Sequence, residues 1–161
     1  MADLKEALTE AGLTDVRTYI QSGNVLFTAD ERDDEKLGQL IKQTILQRFS
    51  FTVDVAVFSE AEWRAIIKAA PAWWGQDKTW KHNLLIMIKP FTMEEVMGAF
   101  EGLKPEIESV EAGKGVVYES VSLEKFGRTK TSRLVMNPVY KKMTIRNYNT
   151  ATKLLLLLEA K

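Results

Sequence analysis

The order of amphipathic segments occurs twice in this chain, and that repetition is the tightest constraint on its fold. The second half reads strand–helix–strand–strand–helix–strand, then a closing helix. The first half reads helix–strand–strand–helix–strand, the same string without its opening strand. At the front, Leu4, Ala7, Leu8 and Ala11 fall at i, i+3, i+4 and i+7, which predicts a helix over 3–11 stopped by Gly12. Val16 to Phe27 predicts a hairpin turning at Gln21, Ser22, Gly23 and Asn24, because Gly and Asn tolerate the positive φ of a tight turn. The acids of 30–34 suit a helix start, and Leu37, Leu40, Ile41, Ile45 and Phe49 mark the inner face of the long helix that follows. Over 52–58, Val53, Val55 and Val57 alternate with Asp54 and Ala56, the pattern of a half-buried strand.

Ser59 and Glu62 have capping-box spacing and open a linking helix that breaks at Pro71. Residues 71–81, with Trp73, Trp74 and Trp80, read as the junction between a first half, 1–70, and a second, 82–161. The near-continuous apolar run 83–89 predicts a central strand, and Thr92 with Glu95 caps the next helix. Strands at 107–111 and 116–121 flank Gly113-Lys114-Gly115. A helix is expected over about 130–136, a strand over 143–146, and a closing helix capped by Asn149. Strand–helix–strand–strand–helix–strand is the split βαβ unit. The expected fold is therefore α+β: two ferredoxin-like plait halves in tandem, the first lacking its opening strand, plus a C-terminal helix. Leu154 to Leu158 run right round that helix at about 100° per residue, so burial on more than one side is expected.

Net charge is zero, with 22 basic and 22 acidic residues, but the charges are segregated. Lys125, Arg128, Lys130, Arg133, Lys141, Lys142, Arg146 and Lys153 occur in one stretch without a single acid. Such a stretch suits an acidic partner or docking inside the protein. There is no cysteine, so disulfide and thiolate chemistry are excluded and a reducing compartment fits. No apolar run reaches the roughly 20 residues a membrane span needs. The opening residues lack a signal-peptide core, so a cytoplasmic protein is expected.

Three stretches carry a family resemblance: 18–27 (Thr-Tyr-Ile-Gln-Ser-Gly-Asn-Val-Leu-Phe), 127–132 (Gly-Arg-Thr-Lys-Thr-Ser), and 144–150 (Thr-Ile-Arg-Asn-Tyr-Asn-Thr) with Lys153-Leu154. In order and spacing the chain resembles the bacterial domain-of-unknown-function family 1697. The resemblance implies two plait-like halves and no established activity. Tyr148 stands where the family more often has Trp. The chain also opens directly on a helix where the family has a strand and a glycine-rich loop. The resemblance thus implies that this strand is truncated, replaced or supplied by another chain.

The residues name no reaction. With one His, no zinc-ligand spacing is present, and the acids of 30–35 fit a helix start better than calcium. There is no Gly-x-Ser-x-Gly elbow, and Ser132 beside Lys130 is a weak serine–lysine pairing. No catalytic residue and no cofactor is assigned. Phosphate recognition scores better: Arg128, Lys130, Ser132, Arg133, Arg146, Asn147, Asn149, Thr150 and Lys153 are expected to converge near the start of the last helix, whose free N–H groups favour an anion. The expectation is a binding protein for a phosphate-bearing ligand, nucleotide or nucleic acid. The alternatives are a structural or protein–protein module, with a homodimer among its forms, and an enzyme of unassigned reaction. Against the ligand site, Arg146 and Asn147 would only pin the turn, with Arg146 paired to an acid such as Glu111 or Glu119. The strand over 84–88 lacks the aromatics of an RRM-type plait.

Overall fold

Two antiparallel sheets and a C-terminal helix make up the computed structural model, which describes residues 1–20 and 23–160. Gln21 and Ser22 of the expected turn lie outside the described residues. The chain divides into two units, Met1–Ser59 and Glu60–Lys161.

In the first unit, α1 (Ala2–Glu10) ends just before Gly12, whose φ of +99° is open to glycine alone at little cost. Strands β1 (Thr14–Tyr19) and β2 (Asn24–Thr28) form the hairpin, and Asn24 Nδ2 donates to the Tyr19 carbonyl at 3.0 Å. Asp33 caps α2 (Asp34–Phe49) by accepting from the amides of Glu35 and Lys36. The helix-start acids therefore cap and sit near the positive end of the helix dipole. Leu8, Leu13, Val16, Leu37, Ile41 and Ile45 form the core, with Val25 and Phe27 of β2 against it.

The expected strand over 52–58 does not form. Val53, Val55 and Val57 pack on the α1/α2 core as the alternation requires, but the sheet contains only β1 and β2. Among the described residues, 52–57 make no backbone hydrogen bond. Alternation fixes which side chains turn inward. A ladder also needs a neighbouring strand, and here there is none.

The second unit begins with α3 (Glu60–Lys68). Strands β3 (Trp80–Met87), β4 (Glu108–Ala112), β5 (Val116–Ser122) and β6 (Met143–Asn147) form an antiparallel sheet in the order β4-β5-β3-β6. Both β3 and β4 run antiparallel to the β5 strand between them, so they are parallel to each other. Their connection crosses over through α4 (Met93–Gly98), capped by Thr92 Oγ1 accepting from the Glu95 amide. One sheet face, bearing Leu85, Met87, Val117 and Met143, packs on Val96, Phe100, Leu134 and Val139. On the other face lie α3 and the closing helix α5 (Tyr148–Glu159): Tyr118 Oη donates to the Ile66 carbonyl at 2.6 Å, and Trp63 Nε1 to the Ala151 carbonyl at 3.1 Å. Trp74 is buried on this side, its Nε1 donating to the Asn83 carbonyl and its ring edge-on to Tyr118 and Tyr148. Gly75 is required there, because a Cβ would stand 2.2 Å from the Tyr148 ring.

Two local expectations change. The α-helix over 130–136 is replaced by three 3₁₀ turns, Phe126–Arg128, Thr131–Met136 and Pro138–Lys142. Pro138 forces Asn137 to be extended, and the Thr129 and Ser132 side chains bond the local backbone in competition with helical pairing. The cap of α5 is Asn147 rather than Asn149: its Oδ1 accepts from the Thr150 amide at 2.8 Å. Leu154, Leu155, Leu157 and Leu158 are each half-buried, and Leu156 is 57% exposed. Coverage on more than one side is as expected for four of the five leucines.

Candidate functional site

The basic stretch lies on both sides of the second sheet. Strand register decides this, because successive residues of a strand project to opposite faces. Asn83 pairs with Glu119 and Asn147, whereas Leu84 pairs with Tyr118 and Arg146. Glu119 therefore shares the face of α4 and the 3₁₀ turns, and Arg146 projects to the face of α3 and α5.

Two buried carboxylates hold the 3₁₀ segment to its face. Glu119 accepts from Asn83 Nδ2 at 2.7 Å and from the Thr131 hydroxyl at 2.5 Å. Glu108 accepts from the Lys130 amide at 2.9 and 3.0 Å, and from the Lys104 amide at 3.3 Å. Both carboxylates are fully buried. Burial pushes the Glu119 pKa up, opposed by its hydrogen bonds from Asn83 and Thr131. The Lys130 amide is thus occupied by a carboxylate and is closed to a phosphate. The sequence reading missed Glu108 and Glu119 as anchors. For Glu119 the signal was a glutamate in the middle of the mostly apolar strand β5; Glu108, in the polar strand β4, carried no such signal.

Arg146 is half-buried and donates to Thr144 Oγ1 at 2.8 Å and to the Ile145 carbonyl at 2.9 Å; desolvation lowers its pKa. Glu119, named as a partner for it, is bound instead to Asn83 and Thr131. The Thr150 amide is taken by Asn147, and Thr150 itself is buried. Ser132 spends its hydroxyl on the Thr129 carbonyl. Asn149 and Lys153 are exposed on the first turns of α5. The structure groups Asn147, Asn149 and Thr150 with Arg146 near the α5 start. Across the sheet it groups Arg128, Lys130, Ser132 and Arg133, so the expected convergence of the two sets does not occur. In the hairpin, Gly23 and Asn24 serve the β1–β2 turn.

Outward, the 3₁₀ segment presents a mixed surface. Lys125, Arg128, Arg133 and Lys141 are exposed and make no ion pair among the described residues. Interleaved with them are exposed Phe126, Val135, Met136 and Tyr140, with Met136 at 75%. Lys142 is spent on Glu95 at 3.0 Å.

His82 sits on the α3/α5 face. Its Nε2 lies 2.7 Å from the Asp77 carbonyl, which can only accept, so Nε2 carries the hydrogen. Nδ1 then accepts from the Ser120 hydroxyl at 2.5 Å. The arrangement resembles a nucleophile and its base, but Ser120 is buried in the sheet, where no substrate carbonyl reaches it. Among the described residues, no group of three or more His, Cys, Asp or Glu is placed to hold a metal, and no helix is long and apolar enough to cross a membrane.

The fold has a close relative of known structure. A conserved bacterial protein, SP0830 from Streptococcus pneumoniae, superposes with a TM-score of 0.88 at 27% identity, covering 99% of this chain and 88% of the other. No curated protein matches the chain. A family model described as protein of unknown function (DUF1697) matches residues 1–118, well over half the length. The chain belongs to the DUF1697 family.

Proposed function

We propose that this chain is a non-catalytic binding module that takes an acidic protein surface on the outer side of segment 125–141. The observation that carries this reading is the composition of that surface. Four cations that are unpaired among the described residues are interspersed with four exposed apolar side chains, on a backbone anchored from beneath by Glu108 and Glu119. Met, Arg and aromatic residues are those enriched at protein interfaces. Large apolar side chains left exposed together within one short segment suit a contact site. In this reading the second half, 82–161, is a ferredoxin-like plait with 3₁₀ turns where its second helix would stand. Residues 1–70 are the same plait short of one strand, joined through 71–81.

The second reading is nucleic-acid or nucleotide recognition by the same bases, favoured by the absence of any acid between Lys125 and Lys153. Two defined probes separate the readings: an acidic peptide carrying aromatic anchors, and a twelve-nucleotide oligo-dT. Under the lead reading the peptide binds, Met136→Asp weakens it at least about tenfold (about 1.4 kcal/mol), and salt has a modest effect. Oligonucleotide binding that falls steeply with salt and ignores Met136→Asp supports the second reading. Binding of neither probe overturns both.

A further inference from the structure

We infer that α5 is a homodimer contact, in which two copies of the chain pack their closing helices antiparallel about a two-fold axis through Leu156. The stretch 153–159 reads Lys-Leu-Leu-Leu-Leu-Leu-Glu. It is apolar through its middle and opposite in charge at its two ends, so it is complementary to its own reverse. A two-fold contact requires this, because the patch on each copy must match itself. Exposure centres on the same point. Leu156 is 57% exposed, Lys153 and Glu159 are exposed, and Leu155 and Leu157 are half-buried. At about 100° per residue, Lys153, Leu156 and Glu159 share one arc of about 120°, flanked by Leu155 and Leu157. An antiparallel copy crossing there sets Leu156 on Leu156 of the second copy, and each Lys153 opposite Glu159 of the other. With a rise of about 1.5 Å per residue, the two ion pairs stand roughly 9 Å apart, one on each side of the leucines. Helix axes about 8–10 Å apart bring such side chains within reach.

The charges left over within one copy fit this partner. Lys153 has no carboxylate partner among the described residues. Glu159 gives Oε1 to Arg64 at 2.8 Å, and Arg64 also pairs with Glu60 at 2.7 Å. The cluster Glu60–Arg64–Glu159 therefore carries one net negative charge, at the place where the second copy brings its lysine. This surface lies across the sheet from segment 125–141, so the contact is independent of what that segment binds. A single helix pair of this length is smaller than the roughly 800 Å² per partner of a standard interface. The dimer is correspondingly weak, with a Kd on the order of 100 μM.

The test is sedimentation velocity on the full chain from about 5 to 500 μM, with the folding of each variant checked by its thermal melt at the lowest concentration. The parent shifts from monomer to dimer across this range. Lys153→Glu and Glu159→Lys each weaken the association at least about tenfold, because each sets like charges opposite one another. Mixed one to one, the two variants associate again, since each reversal compensates the other across the axis. As the chain has no cysteine, Leu156→Cys supplies a second readout that alters neither charge. At the axis the two Cα atoms come within disulfide reach, below about 7 Å, whereas those of Asn149→Cys stand roughly 20 Å apart. Mild oxidation therefore cross-links Leu156→Cys at least about tenfold faster than Asn149→Cys. If a charge variant fails to fold, the cross-linking rates decide alone. A parent that stays monomeric throughout, a dimer indifferent to both reversals, a mixture that associates no better than its components, or equal cross-linking at the two positions overturns the inference.

Discussion

Glu119→Ala removes the acceptor shared by Asn83 and Thr131. Asn83 is buried, so its Nδ2 loses a partner that water cannot replace, at about 1–3 kcal/mol. Thr131 is only half-buried and can turn to solvent. The missing side-chain volume adds about 1 kcal/mol, giving a total of about 2–4 kcal/mol. For a unit of this size that lowers the melting temperature by roughly 10–20 °C. Glu119→Gln keeps both hydrogen bonds if the Asn83 amide turns over, and is expected within about 1 kcal/mol of the parent at neutral pH. The two variants also separate in their pH response. Burial raises the Glu119 pKa above its ordinary 4.5, so the folded state holds this proton more tightly than the unfolded state does. The parent therefore loses stability as pH rises from about 4.5 to the folded-state pKa, and the loss then levels off. Glu119→Gln lacks this decline. Urea unfolding followed by tryptophan fluorescence isolates the effect, because Trp63, Trp73, Trp74 and Trp80 all belong to the second unit. Parallel pH profiles for the parent and Glu119→Gln, or an alanine variant as stable as the glutamine one, would refute the argument.

Gly75→Ala puts a methyl into the Tyr148 ring at a residue with φ of +85°, and is expected to cost at least about 3 kcal/mol. Tyr148→Ala in the same chain should recover the steric part only, as a double-mutant cycle of urea midpoints will show. Asn147→Ala should cost about 1 kcal/mol through loss of the α5 cap, while Asn149→Ala stays within about 0.5 kcal/mol. Equal costs in thermal melts would contradict the assigned cap. Leu156→Glu should be tolerated at about 0.5 kcal/mol or less, whereas Leu155→Glu should cost well over 1 kcal/mol.

Much of the architecture was legible because periodicity and capping are local. The spacing of Leu37, Ile41 and Ile45, the Thr92 cap and the Gly113–Gly115 turn each act within a few residues, and each stands as read. Pairing is not local. Val53, Val55 and Val57 alternate correctly, yet strand formation depends on a neighbour that the alternation cannot supply. The candidate site failed in a related way. Arg128, Lys130, Arg133 and Arg146 lie within nineteen positions in sequence, but the register of β6 sets Arg146 on the face opposite the other three. A one-residue change of register reverses such an assignment, and charge composition is blind to it. The buried glutamates were hidden because a carboxylate in a strand usually signals a solvent face. Here two of them substitute for the hydrogen bonds that an irregular loop cannot make to itself.

The second sheet is sheathed on both faces, by α4 and the 3₁₀ turns on one side and by α3 and α5 on the other. A ligand approaching it meets no flat platform. Stacking of bases across the strands is excluded by helices that already occupy the place, whatever residues the strands carry. Among the described residues, the strands that pair on one side only are those at the rim, β4 and β6. A contact made there would use loop side chains and spare backbone. Short connections at the rim can therefore change without disturbing the layers that keep the sheet folded.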